Sequence, residues 1–270
     1  MEQRISRVAR VIPRGGSSQV QDKQLVIGAE GYDATSPFLF LSEDWFAPPG
    51  GFEEHPHRGM QTVTFILEGR LEHRDHTGAH GILEPGDVQW MTAGRGVLHS
   101  EMPKGPVHTL QLWLNLPAKL KMIPARYQDQ RYGDTPVRKV DGGLVRVYAG
   151  TSGAVTHGHG SDWPMWLLDI QLATGGTLAQ EVPDEHRGFL YVLAGRATLG
   201  GKEVRQGDVA WFEPGGGGEL SIAAHEELRA LLFSGPPIDE PVVAYGPFVM
   251  NTRQEIQQAF MDYQAGRLVA

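Results

Sequence analysis

Two pairs of residues have the types and spacing to do chemistry. His55 and His57 flank Pro56 in "HPHRG", and His99 and Glu101 flank Ser100 in "HSEMP". In an extended chain, side chains two apart leave the same face. Each pair would therefore present both of its groups in one direction. Two such strands converging inside a barrel would gather three imidazoles and one carboxylate around a point. That donor set suits a divalent transition ion (Fe, Mn, Ni, Cu or Zn) over Ca or Mg, which want all-oxygen shells. Four protein donors leave up to two positions of an octahedral ion open to oxygen or to a chelating substrate.

Strands must carry these pairs, and the chain supplies a pattern for them twice. Residues 57–90 and 186–211 both run His-Arg-Gly, an apolar strand, Gly-Arg, a second strand, then Gly-Asp-Val-x-Trp. The strands are rich in Val, Phe, Tyr and Leu, and the Gly-containing steps read as turns between antiparallel strands. An internal repeat of this kind predicts two similar β-domains. The second copy has Asp184 and His186 where the first has its histidine pair, and Leu220 at the place of His99. The ligand set is thus present in one copy and dismantled in the other, as expected of a site, not of structural residues.

Other strands are expected over 109–116, with Leu110, Leu112, Leu114 and Leu116 on one face and Gln111, Trp113 and Asn115 on the other, and over 144–150, 166–172 and 228–233. The segment Pro117–Gly143 reads as the inter-domain connection, so that the domains are 1–125, with the metal, and 126–270, without it. "NTRQEIQQAFMDYQAGRL" reads as a helix. Thr252 and Glu255 would form its capping box, Ile256, Ala259, Phe260 and Tyr263 its apolar stripe, and Gly266 its stop.

The composition bounds the function. The 270 residues carry a net charge of −8 and no basic run longer than two, which argues against direct nucleic-acid binding and against an anionic membrane surface. With no cysteine, disulfides, iron–sulfur clusters and thiol catalysis are excluded. A cytoplasmic protein is expected, with neither an apolar leader nor a stretch long enough to span a bilayer. Other histidines read as solvated: His73, His76 and His80 around the "HTG" turn, and His157 and His159 in a "THGHG" surface loop.

The runs "HPHRGMQTVTFILEG", "GDVQWMTAGRGVLHSEMP", "LQLWLNLP" and "YGPFVMNTRQEIQQA" resemble the pirins, two-domain members of the cupin superfamily, from about Phe38 to the C-terminal helix. The resemblance implies an all-β fold of two tandem cupin (jelly-roll) barrels with a short C-terminal helix. It implies one metal, usually iron as Fe(II), held by His55, His57, His99 and Glu101, and no metal in the second barrel. Some pirins are similar to quercetin 2,3-dioxygenases, and eukaryotic ones act as nuclear co-regulators. One departure is Gln61, an amide where the general cupin pattern has a glutamate; Glu101 supplies the carboxylate later in the chain.

Two functions follow from this. As a dioxygenase, the chain would take a flavonol such as quercetin together with O₂, with Glu101 as general base. Phe52 would line the entrance, Arg58 would stand beside the metal ligands and Gln111 would face the lumen. The competing readings are a core residue for Phe52, a surface salt bridge for Arg58 and a solvated strand face for Gln111. As a regulator, the chain would sense a metal's redox state and bind a protein partner.

Overall fold

The structure, a computed structural model, describes residues 2–28, 31–158 and 160–270. Its strands pair antiparallel throughout the named ladders. The chain forms two compact units, each discontinuous in sequence. One unit comprises Pro13–Tyr132 and Ile238–Ala270, the other Met1–Ile12 and Gly133–Pro237. A single cut between residues 125 and 126 does not describe these units, because both chain ends cross over. The strand Ile5–Arg10 pairs with Asp208–Phe212 in the unit of the second repeat. The last segment packs with the first repeat, where Val249 N–H donates to the Arg58 carbonyl at 3.0 Å.

Beside a two-stranded sheet of Val243–Tyr245 and Phe248–Met250 in its C-terminal segment, the first-repeat unit has a barrel of two sheets. The larger runs Arg126–Gln130, Val88–Thr92, Met60–Glu68, Val107–Asn115, Phe38–Phe46, Asp22–Ile27 and Ile12–Pro13. The smaller runs Phe52–His57, Val97–Pro103, Leu71–Asp75 and His80–Leu83. The expected connection Pro117–Gly143 is more than a linker. Arg126–Gln130 closes the edge of the larger sheet here, and Val137–Val140 pairs with Gly143–Ser152 in the other unit.

The second-repeat unit has the same plan, an eight-stranded sheet facing the four strands Thr177–Val182, Gly218–Ala224, Arg196–Leu199 and Lys202–Arg205. Leu168, Leu190, Val192, Leu220 and Leu232 belong to one buried apolar cluster in its interior. The Gly-Arg turns of the two copies share a backbone requirement. Gly69 and Gly195 have φ of 78° and 80°, and a Cβ at either would lie 2.1 Å from a carbonyl oxygen, that of Pro106 or of Glu227. Only glycine fits both the left-handed conformation and the close approach.

The C-terminal helix spans Arg253–Gln264 with the expected capping box of Thr252 and Glu255. Ile256 and Ala259 are buried with Phe248, Met250 and Leu268, and Leu98 of the first-repeat barrel packs against them. A four-residue turn of helix lies at Tyr32–Thr35. No helix among the described residues is long and apolar enough to cross a membrane.

Candidate metal centre

The strand Val97–Pro103 lies between Phe52–His57 and Leu71–Asp75, and its register sets the site. His99 stands opposite His55 on one side and Asp75 on the other; Glu101 stands between Phe52 and His73. Directly opposed residues share a face, so His55, His99, Glu101 and His73 project into the barrel, whereas the Asp75 carboxylate, at the end of its strand, accepts from Thr77 N–H and Oγ1 in the turn. The alternation expected for the two pairs therefore holds: His55 and His57, and His99 and Glu101, point inward together.

One ring nitrogen from each of His55, His57 and His99 lies within 4.8 Å of the others. A second trio meets the same limit: His73, His99 and a Glu101 oxygen. The four ligands expected from sequence thus fall into two overlapping groups, with His99 common to both and His73 added. His73 differs from the expectation of a solvated turn residue. The strand continues through Asp75, and the turn begins only there, so His73 sits mid-strand with no solvent exposure. Its inward aim was readable from Leu71, an apolar residue two positions earlier on the same face. His76 and His80 are exposed as expected, and His80 Nε2 meets Glu72 at 2.8 Å.

His57, His99 and His73 are held neutral by burial. Burial, then the neighbouring His55, pushes His57 down to about 3. The Pro247 carbonyl pulls the other way, without the geometry of a hydrogen bond. Burial and the His57 and His55 rings hold His99 well below the usual histidine range, and burial lowers His73. A neutral imidazole keeps a lone pair for a cation. Both ring nitrogens of His99 and of His73 are buried without a hydrogen-bond partner. Such atoms are costly in a protein interior, and a divalent transition ion satisfies them, so these residues fit a metal. His55 is oriented differently: its Nδ1 meets the Glu53 carbonyl at 2.8 Å. That bond places the proton on Nδ1 and leaves Nε2 as the donor atom.

Glu101 is fixed at both oxygens. Thr64 Oγ1 donates to Oε1 at 3.1 Å and Gln111 Nε2 to Oε2 at 2.8 Å. Trp113 Nε1 donates to Gln111 Oε1 at 3.4 Å, which turns the amide so that its NH₂ faces the carboxylate. Gln111 is therefore lumenal, not a solvated strand face. Gln61, by strand alternation, leaves the opposite face of its strand from Thr64, and its Nε2 donates to Thr92 Oγ1 at 3.2 Å.

The remaining expected residues separate. The Phe52 ring lies 6.2 Å from His55 and 5.6 Å from Phe46, beside the site. Trp113 stands edge-on to His57 at 5.3 Å and completes the apolar wall with Phe40, 5.5 Å away. Arg58 is turned from His57's face. Its guanidinium binds Asp262 at 2.8 Å and the carbonyls of Arg95 and Leu268, so it pins the C-terminal segment. It is neither a surface salt bridge nor a group aimed at the metal ligands. In the second-repeat unit His186 is buried with Nδ1 3.1 Å from Ser234 Oγ, Asp184 is exposed, and Leu220 is part of the apolar interior. His157 is half-buried on the strand Val155–His157, not in a loop, and His159 lies outside the described residues.

Comparison with known proteins places the chain in a family. A family model described as Pirin matches residues 10–114, and one described as Pirin C-terminal cupin domain matches 167–269. A Pseudomonas aeruginosa relative, provisionally named quercetin 2,3-dioxygenase, is 43% identical over 262 residues, 90% of each chain. A quercetin 2,3-dioxygenase structure from Acinetobacter baumannii superposes with a TM-score of 0.91 at 31% identity over 100% of both chains. The bacterial pirin YhhW from Escherichia coli, solved in complex with nickel(II), gives a TM-score of 0.68 at 25% identity over 86% of this chain and 100% of that one.

Proposed function

The chain belongs to the pirin family of two-domain cupins, and from that premise we propose that its first-repeat barrel is a metal-dependent dioxygenase site. It takes a flavonol such as quercetin and O₂ and opens the flavonol ring, one ring carbon leaving as carbon monoxide. His55, His57, His99 and Glu101 are the proposed ligands of one divalent transition ion, Fe(II) first, with Mn, Ni, Cu and Zn as alternatives. The observation that carries the reading is the grouping of the His55, His57 and His99 rings, with His57 Nδ1 and both His99 nitrogens buried and without a hydrogen-bond partner, beside a doubly anchored carboxylate. The dioxygenase names of two relatives support the substrate, and the nickel-bound bacterial pirin supports a metal of this class. A cysteine-free composition fits a cytoplasmic setting.

When bound, the ion would supply Lewis acidity toward the flavonol hydroxyl and electrons toward O₂. The protein's own groups do the rest. Glu101 accepts the hydroxyl proton on Oε1, whose bond from Thr64 at 3.1 Å is longer than the 2.8 Å bond from Gln111 to Oε2. Gln111 keeps the carboxylate from rotating away as it is protonated. Phe52 and Trp113 give the flat aromatic substrate an apolar edge on which to lie.

The test is metal content of freshly purified protein, followed by quercetin consumption, carbon monoxide release and O₂ uptake with each ion restored. Turnover that requires the ion, and that is lost in His99→Ala, is the expected result. A fully loaded protein that leaves quercetin and O₂ untouched would overturn the assignment.

A further inference from the structure

We propose that His73 is a fifth protein donor of this cavity, and that His73, His99 and Glu101 form an inner position for a divalent transition ion. This inner position shares His99 with the outer trio His55, His57 and His99, so the inference rests on the metal-site reading above. Three observations carry it. The donor atoms of the inner trio lie within 4.8 Å of one another, the same closeness as in the outer trio. All three inner residues are buried, whereas His55 of the outer trio is half-buried. Both ring nitrogens of His73 are buried without a hydrogen-bond partner. A structural histidine of that depth ordinarily spends at least one nitrogen on a backbone or side-chain group.

The strand register explains why His73 is available. It faces Glu101 directly across the Leu71–Asp75 and Val97–Pro103 pair. Its ring lies 5.2 Å from His99 and 5.1 Å from Tyr127, which stands over it from the Arg126–Gln130 strand. His73 is therefore held among the donors on one side and capped by an aromatic ring on the other, with no water-facing edge. The inner trio is two imidazoles and a carboxylate, a set that suits the same borderline ions as the outer trio. The two trios share His99, so an ion in the inner position would be held by His73, His99 and Glu101.

The experiment is a Co(II) titration of the metal-free full chain, read by the visible ligand-field spectrum and by competition with a chelator. Four forms are compared: the unaltered chain, His55→Ala, His73→Phe, and the double variant. Phenylalanine keeps a ring against Tyr127, and the thermal midpoint without metal checks that the barrel survives. His55→Ala removes one outer donor and leaves the inner trio whole, so it should still bind Co(II), with a changed spectrum. Adding His73→Phe should then weaken binding about tenfold or more, the range expected for losing a supporting metal contact. Equal affinity and spectrum for His55→Ala and the double variant would overturn the inner position. Absence of Co(II) binding by the unaltered chain would instead sink the metal site itself, a separate outcome. Should His73→Phe lower the thermal midpoint, His73→Gln, which keeps a polar donor in the slot, must restore part of the affinity; if it restores none, the inner position is overturned as well.

Discussion

Gln111→Met separates a positioned carboxylate from one that merely happens to be nearby. Methionine has nearly the length and volume of glutamine, so the strand Val107–Asn115 keeps its packing through Leu110, Leu112 and Leu114. What is lost, together with the long 3.4 Å bond that Oε1 accepts from Trp113 Nε1, is the 2.8 Å donation from Nε2 to Glu101 Oε2, a hydrogen bond to a charged acceptor. Such bonds contribute about 1.5–3 kcal/mol, and each 1.4 kcal/mol is about tenfold in a binding constant. Gln111 is half-buried and Thr64 still holds Oε1, which puts the loss at the lower end, about tenfold in affinity for Ni(II) or Co(II). The assay is chelator competition on metal-free protein at neutral pH, with the apoprotein's thermal midpoint as control. An affinity within about twofold of the unaltered chain, with the fold intact, would mean that the Gln111 bond does not prepare Glu101 for a metal, and the account of the carboxylate would fail.

Three further outcomes are expected. His186→Ala should leave metal content unchanged, because its Nδ1 is engaged with Ser234 and the position of His99 is taken by the apolar Leu220; elemental analysis showing a loss would place metal in the second unit. Acid should destabilise the metal-free protein in the window between the ordinary histidine value of 6.5 and about 3, where the unfolded chain takes up a proton that buried His57 refuses. His99 and His73 act in the same direction, so the thermal midpoint should fall steadily as pH drops through that window, and a flat midpoint would contradict the burial argument. Lys121→Met should cost about 2–4 kcal/mol in urea unfolding, because Nζ serves the Gly59 and Val249 carbonyls and Asn115 Oδ1 at 2.8, 3.1 and 2.7 Å. Burial already lowers this lysine to about 8, which offsets part of the loss; no change at all would show that the three acceptors find other donors.

Strand alternation and turn chemistry are local, and they were legible. The spacing of His55 with His57 and of His99 with Glu101, the Gly-Arg turns, the capping box at Thr252 and Glu255, and the apolar replacement at Leu220 each depend on residues a few positions apart. Which strand lies beside which is a different kind of fact. The approach of Gln111 and Thr64 to Glu101 depends on two sheets facing each other, and Arg58 turns to Asp262 because a segment some two hundred residues later returns to its barrel.

By itself the sequence determined that two β-barrels would form from a repeated pattern, that only the first carries the paired donors, and that a capped helix ends the chain. These follow from periodicity, which a linear string contains in full. Tertiary structure alone decided that His73 meets Glu101 and His99, that Tyr127 stands over it from a strand within the connecting segment, and that each unit takes in one chain end from outside its own repeat. Register between strands is set by the burial of whole sheets, a sum over many distant contacts, and no short stretch of residues records it.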